Sequence, residues 1–475
     1  MKSVYELKMT VNGEALGTEE TLPVINPATE EVIAHVPQAG KQDLDTAVAA
    51  ARRAFSAWAS TPIDVRGERL TQLAVAIYAS REELATLLRL EMGRPQAAAL
   101  GEIDGASYWL KEVAKQRLKR EIIEETENHR VERYFTPLGV VGAIVPWNFP
   151  FALSIWKIAP ALLAGNTVVV KPSPYTPLTA LKIGEIARDI LPPGVLNVVS
   201  GGDDLGRWIT EHPDVNKISF TGSTATGKKV MQSAAANLKR VTLELGGNDA
   251  AIVLPDADPA KIAKPLFWAA FRNTAQVCIA TKRLYVHEDI YDAFLTELVK
   301  YAASVRVGDG GDPATELGPI QNKMQYDKVI DLIEDTKRSG ASIVLGGEIE
   351  DRPGYFIPVT IVDNPPEDSR VVVEEAFGPV LPVLKYRDYD EVIARVNNTK
   401  YGLGGSIWGK DVELAQSIAE RLETGTVWIN EVSVLSPHYP FGGHKESGLG
   451  VENSLDGLAE YTNSKTIMVN KRKSY

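Results

Sequence analysis

The chain lacks most of what would build a metal centre or a covalent scaffold. One cysteine in 475 residues excludes an intrachain disulfide and a CxxC metal site. Six scattered histidines with no HExxH leave no ligand set for zinc, and no metal is expected. Outside the short tail NKRKSY there is no dense Lys/Arg run, and the net charge is −11. A non-specific nucleic-acid binder needs a basic face, so that class is excluded. An apolar leader is also missing: MKSVYELKMTVNGE carries charges at Lys2, Glu6 and Lys8. One uncharged run, from Tyr134 to Trp156, has the length of a membrane span. Pro137, Pro146, Asn148 and Pro150 divide it into a strand, a turn and a helix start. The expectation is a soluble cytoplasmic protein with no membrane and no nucleic-acid partner.

What remains is ordinary globular composition, 44% hydrophobic and 24% charged, enough for two or three domains. Leu44, Val48, Ala51 and Phe55 fall on one face of a helix over 43–59, and a second helix is expected over 64–91. From residue 138 short apolar strands alternate with helices: GVVGAIVP (strand 140–145), helix 151–164, NTVVVKP, helix 177–190, VLNVVSG, helix 204–211, KISFTG, helix 224–236. This pattern predicts a parallel sheet covered on both faces. After VTLELGG and AAIVLP the pattern restarts with RLYVHED, helices 290–304 and 324–339, GSIWGK, helix 411–423 and GTVWIN. Two α/β halves with a crevice between them follow, with no linker and no repeat.

Ligands bind parallel sheets at the carboxyl ends of strands. Asn148, Lys171 and the turn FTGSTATG fall there. GSTATGKK nearly matches GxxxxGK[ST], but Lys229 replaces the Mg²⁺-binding hydroxyl, which disfavours a nucleotide hydrolase. A Gly-capped turn or a dinucleotide diphosphate site remains open. Glu244 ends an apolar strand in LELGG, where desolvation would raise its pKa and suit it to general-base work; taken alone, an ion-paired or solvated strand end is the favoured reading. Cys278, in NTAQVCIAT, is by itself more often a small buried hydrophobe than a nucleophile. His287, on the following strand, gives no strong signal for a cysteine–histidine dyad.

In order along the chain stand VVGAIVPWNFP, VVVKPS, ISFTGS, LELGGNDAAIV, NTAQVCIATKRLYV, EEAFGPV and YPFGGHKESGLG. Together they resemble the NAD(P)-dependent aldehyde dehydrogenase superfamily, from INPATEE to YTNSKTI. The resemblance implies an α/β aldehyde-dehydrogenase fold. A Rossmann-like cofactor domain would span 1–117 and 138–243, returning at 441–460. An α/β catalytic domain would span 244–440, and a small β oligomerisation hairpin at 118–137 would join a segment at 461–475. It implies Cys278 as nucleophile, Glu244 as general base and Asn148 as oxyanion-stabilising amide. Pro146, Trp147, Lys171, Ser173, Gly222, Ser223, Gly246, Glu375 and Phe377 would contact the cofactor, NAD with NADP possible. Lys157 and Glu452 would be a proton relay. Phe149, Trp156, Val277, Ile279, Leu435 and Phe441 would line the substrate tunnel. A small aldehyde and a homodimer or homotetramer are the implied partners.

The sequence departs from the family in three places. Ala275 replaces a usual glycine, at a cost of roughly 1 kcal/mol if φ is positive there. Pro174 replaces a glutamate that holds the adenosine ribose, which opens the choice between NAD and NADP. Val451 replaces an interface arginine. The apolar tunnel suits aliphatic or aromatic aldehydes. No arginine is evident to pair with a substrate carboxylate, which argues against a semialdehyde acid. Phe149 and Trp156 could cradle a trimethylammonium, a betaine-type alternative. A non-redox thioester or ester hydrolase using Cys278 and Glu244, or a non-catalytic scaffold, are the remaining readings.

Overall fold

The structure is a computed structural model and describes residues 5–472. Residues 1–4 of the expected cofactor domain and 473–475 of the expected oligomerisation segment lie outside the described residues.

An eight-stranded sheet forms the first half. Its spatial order is Glu14–Leu16, Met9–Val11, Leu196–Val198, Thr167–Lys171, Val140–Ile144, Lys217–Thr221, Arg240–Glu244 and Gly448–Leu449. The five strands from Leu196–Val198 to Arg240–Glu244 are parallel. They are short and almost wholly apolar because helices cover both faces. Strand order reverses between Val140–Ile144 and Lys217–Thr221. In an open parallel sheet the ligand crevice lies at the carboxyl ends beside such a reversal. The loops leaving these two strands carry Pro146, Trp147 and Asn148 on one side and Gly222 and Ser223 on the other.

The second half is a seven-stranded sheet in the order Ser342–Leu345, Thr360–Asp363, Val380–Tyr386, Thr281–His287, Asp249–Val253, Gly404–Trp408, Thr426–Ile429. All its pairings are parallel except that of the first strand. Cys278 precedes Thr281–His287, so it sits at the amino edge of this sheet. Glu244 sits at the carboxyl edge of the other. The crevice is where these two edges meet.

The uncharged run over residues 134–156 folds as the end of the strand His129–Pro137, the strand Val140–Ile144, a loop and the start of the helix Pro150–Ala164, with Pro150 at its first turn. Among the described residues no helix is long and apolar enough to cross a membrane. One helix expected over 64–91 is instead two, Ile63–Ala79 and Arg81–Met92. Ser80 leaves helical geometry at φ −96 and ψ 11, and Glu82 and Glu83 complement the positive end of the new helix. Helices expected over 177–190 and 411–423 end early, at Ala187 and Ala419.

A separate antiparallel sheet joins Glu121–Glu125, His129–Pro137 and the C-terminal strand Thr462–Asn470. Its outer strand Glu121–Glu125 is exposed along its whole length, including Ile122 and Ile123.

Candidate active site

The nucleophile candidate sits on a strained loop. Asn273, Thr274 and Ala275 adopt φ of 54, 55 and 59, three successive left-handed residues before Cys278. Side chains disfavour this region, and a β-branched threonine disfavours it most. The surroundings hold the turn in place. Thr274 Oγ1 donates to the Gly318 carbonyl at 2.8 Å, and the Gln276 side-chain amide donates to the Asn273 carbonyl at 2.9 Å. Gln276 Oε1 accepts from the Gln321 N–H at 2.8 Å. The positive φ expected at Ala275 is therefore present, in a loop that is tied on several sides.

Cys278 is partly accessible along the crevice and densely packed on its other sides. Burial pushes its thiol up to about 12, with Glu244, Asp249 and Glu375 adding to the rise and Lys282 opposing it. Asn148, at the helix entrance PWNFP, directs one side-chain N–H to the Gln276 carbonyl at 3.0 Å. An amide has two such protons, so the second is free for a nearby oxyanion. The Asn148 backbone carbonyl accepts from Arg94 and from Asn273 Nδ2, the latter at 3.2 Å. Arg94 is itself buried against Glu102.

Glu244 is buried, and its Oε1 has no hydrogen-bond partner. Burial and the neighbouring Glu452 charge raise its pKa well above the usual carboxylate range, while Lys157 opposes them. Lys157 and Glu452 are brought together at 3.0 Å with side chains only 1% exposed, so a bulk-water explanation of their pairing fails. Ser219 Oγ accepts from Lys157 Nζ at 3.0 Å and from Tyr461 Oη at 3.1 Å, and lies 3.2 Å from Glu452 Oε1. Ser219 and Tyr461 belong to this network although neither stands out in the sequence.

The expected cofactor residues gather along the crevice. Trp147 packs edge-on against Phe377 at 5.3 Å, with Pro146 half-buried before it. Glu375 Oε1 accepts from the Gly247 N–H at 3.1 Å, and a Cβ at Gly246 would lie 2.3 Å from Glu375 Oε2. Gly222 donates its N–H to the Glu244 carbonyl at 3.0 Å, and a Cβ there would strike the Phe220 ring. Ser223 caps the helix Thr224–Ala235, accepting from the Thr226 N–H at 3.2 Å. Lys171 is buried at its strand end, which pulls its pKa down to about 8; Asp203 opposes that fall. Beside it Ser173 Oγ accepts from the Tyr175 N–H at 3.3 Å.

All six expected tunnel residues share one apolar cluster with Cys278: Val277, Ile279 and Phe441 at its centre, with Phe149, Trp156 and Leu435 against it. Leu403, Trp428 and Val432 complete it, and Trp109 stacks on Trp156 at 4.8 Å. An exposed arginine, Arg272, lies 6.0 Å over the Phe149 ring, outside this cluster. Arg272 caps the helix that ends at Phe271 and precedes the left-handed turn.

Among the described residues no group of His, Cys, Asp and Glu could hold a metal ion. The profile of the aldehyde dehydrogenase family matches residues 15–467. A protein named probable aldehyde dehydrogenase from a Pseudomonas species is 42% identical, covering 99% of this chain and 96% of its own. Human aldehyde dehydrogenase 1A1 is also 42% identical, over 94% of this chain and 91% of its own. The solved NAD+ complex of an aldehyde dehydrogenase from Bacillus cereus superposes with a TM-score of 0.97 at 38% identity, covering 99% and 98% of the two chains.

The left-handed turn yields a stability prediction. An alanine-to-glycine change usually destabilises by roughly 0.5–1 kcal/mol. At Ala275 the relief of left-handed strain offsets that entropy loss, so Ala275→Gly should leave the melting temperature unchanged or raise it. A fall of several degrees in a thermal melt would show that the turn is unstrained.

Proposed function

The chain belongs to the aldehyde dehydrogenase family, and from that membership we propose a residue-by-residue course for its oxidation of aldehydes. Cys278 attacks the aldehyde carbonyl as a thiolate, since the thiol itself is a poor nucleophile. The free N–H of Asn148 and the Cys278 backbone N–H receive the oxyanion; losing one such donor costs on the order of 10²–10³ in rate. NAD, held by the residues described below, would supply the hydride acceptor. The thioester left on Cys278 is hydrolysed by water that Glu244 deprotonates. Glu244 passes that proton toward Lys157, Glu452 and Ser219. The single observation that carries this reading is the convergence of Cys278, Asn148 and a buried, unpaired Glu244 on one crevice.

The donor set fits a dinucleotide. Glu375, cradled by Gly246 and Gly247, offers a carboxylate to ribose hydroxyls. Trp147 and Phe377 offer a flat wall, and Ser223 with the helix Thr224–Ala235 offers free N–H groups to a diphosphate. Lys171 serves the adenosine ribose. Asp203, in the first turn of the helix Asp203–Glu211, is the carboxylate whose charge reaches Lys171. It stands in for the glutamate lost at Pro174 and disfavours a 2′-phosphate, so NAD is preferred over NADP.

The substrate is an apolar or aromatic aldehyde, carried by the Trp156–Phe441 wall. A betaine-type aldehyde fits poorly. Arg94 lies 4.7 Å over the Phe149 ring with Arg272 near it, and one face of Trp156 is taken by Trp109. Those guanidinium groups repel a trimethylammonium. Arg272 favours one second reading, an aldehyde that also bears a carboxylate. A homodimer or homotetramer, joined through the exposed edge Glu121–Glu125 and the strand Thr462–Asn470, completes the proposal. A cytoplasmic location belongs to the same proposal.

Absorbance at 340 nm with NAD, benzaldehydes, alkanals, betaine aldehyde and succinic semialdehyde tests the reaction. The expected result is a rise with aromatic or apolar aldehydes that Cys278→Ser abolishes. The raised pKa values of Cys278 and Glu244 mean that the reactive, deprotonated forms grow with pH, so turnover should climb between about pH 6 and 9. Activity surviving Cys278→Ser, or a rate that falls across that range, contradicts the mechanism. Reduction with neither cofactor, alongside ester cleavage, would favour the hydrolase.

Cofactor choice has its own test. Asp203→Asn should tighten NADP binding about tenfold or more, read by nucleotide titration, with little change for NAD. An unchanged NADP affinity would remove Asp203 from the site.

A further inference from the structure

Lys282 has no part in the chemistry above, yet it lies directly behind the nucleophile with its side chain 4% exposed. A buried ammonium is tolerated when its three N–H donors are used. Here two donate to the carbonyls of Val277 at 2.9 Å and Cys278 at 2.6 Å. The third faces Glu375 Oε1 at 3.5 Å. Glu375 in turn accepts from Gly247, and a Cβ at Gly247 would lie only 2.6 Å from the Cys278 carbonyl oxygen. The turn after Glu244, the Glu375 carboxylate and the nucleophile loop are thus packed without slack around one cation. On the amino side of Cys278 the loop is left-handed over Asn273–Ala275, a conformation that persists only where the surroundings hold it.

We propose that Lys282 is a positioning residue that locks the Cys278 loop to Glu375, so that a ligand engaging Glu375 is sensed at the nucleophile. The charged groups facing the thiol come from every surrounding element. Glu244 ends a strand of the first sheet, and Asp249 begins one of the second. Glu375 follows the short helix Arg370–Val373, and Arg272 ends the helix from Pro259. Lys282 lies on the strand that follows Cys278 itself. Of these, Lys282 exerts the largest charge effect on the thiol, and it favours the thiolate. A ribose that shares the Glu375 carboxylate loosens its hold on Lys282. The ammonium then acts more fully on Cys278, and the thiol ionises more readily when cofactor is present.

The inference rests on the reading of Cys278 as nucleophile and Glu375 as a cofactor contact. Its test avoids turnover. Cys278 is the sole cysteine, so alkylation by iodoacetamide, followed by intact mass, reports one thiol. Wild type, Lys282→Met, Lys282→Gln and Lys282→Arg are compared across the pH range, with and without NAD, after thermal melts confirm folding. NAD should speed wild-type alkylation. The uncharged variants should react about tenfold more slowly at a fixed pH and lose the response to NAD, and Lys282→Arg should restore it. If Lys282→Met does not fold, Lys282→Gln decides, because it keeps a donor and most of the stem without the charge. A Lys282→Gln protein with wild-type rates and a wild-type NAD response overturns the proposal, as does a wild-type rate that NAD leaves unchanged. Failure of the underlying mechanism would appear elsewhere, as aldehyde oxidation that survives Cys278→Ser.

Discussion

The thiol of Cys278, the proposed nucleophile, is half-buried among three carboxylates. Glu244, Asp249 and Glu375 all push the Cys278 thiol toward its neutral form, and burial pushes it further. Much of the surrounding structure offsets that field. Lys282 lies behind the loop and Arg272 at its approach. Lys157 moderates Glu244 from beyond Glu452. Burial pushes Asp249 up to about 7, while Lys282 draws it back down. The proposed nucleophile is thus held against ionisation by its neighbours, with Lys282 the opposing charge.

The fold makes that arrangement possible by opposing two sheet edges. Glu244 and Asn148 come from the carboxyl side of the first sheet, where ligand sites of parallel sheets belong. Cys278 comes from the amino side of the second. Neither sheet alone holds the chemistry. Contacts such as the Asn148 amide on the Gln276 carbonyl and the Gly247 N–H on Glu375 carry the registration between them. A few bonds of this kind position atoms contributed by segments more than a hundred residues apart.

Much of this was legible in the sequence for definite reasons. Fully apolar strands such as TVVVK alternate with helices because they are buried on both faces, and that pattern is visible without coordinates. Trp156, Phe441 and their neighbours are apolar residues in motifs whose order is specific. Other features were hidden for equally definite reasons. Ser80 splits a helix whose amphipathic period continues across it. The left-handed turn Asn273–Ala275 depends on tertiary hydrogen bonds of Thr274 and Gln276. Lys282 reads as the start of a strand, and only the folded chain places its ammonium on two carbonyls. Ser219 meets Lys157, and Tyr461 meets Ser219, across segments distant in sequence, so no local pattern marks them.

The most direct test of the central claim is the covalent intermediate itself. Glu244→Gln protein is mixed with NAD and one equivalent of benzaldehyde, quenched in acid and weighed by intact mass spectrometry, with the peptide containing Cys278 sequenced afterwards. The account predicts a single acyl group on Cys278, formed with one equivalent of reduced cofactor and hydrolysed slowly. An unmodified Cys278 in a protein that still turns over, or an acyl group on any other residue, would contradict it.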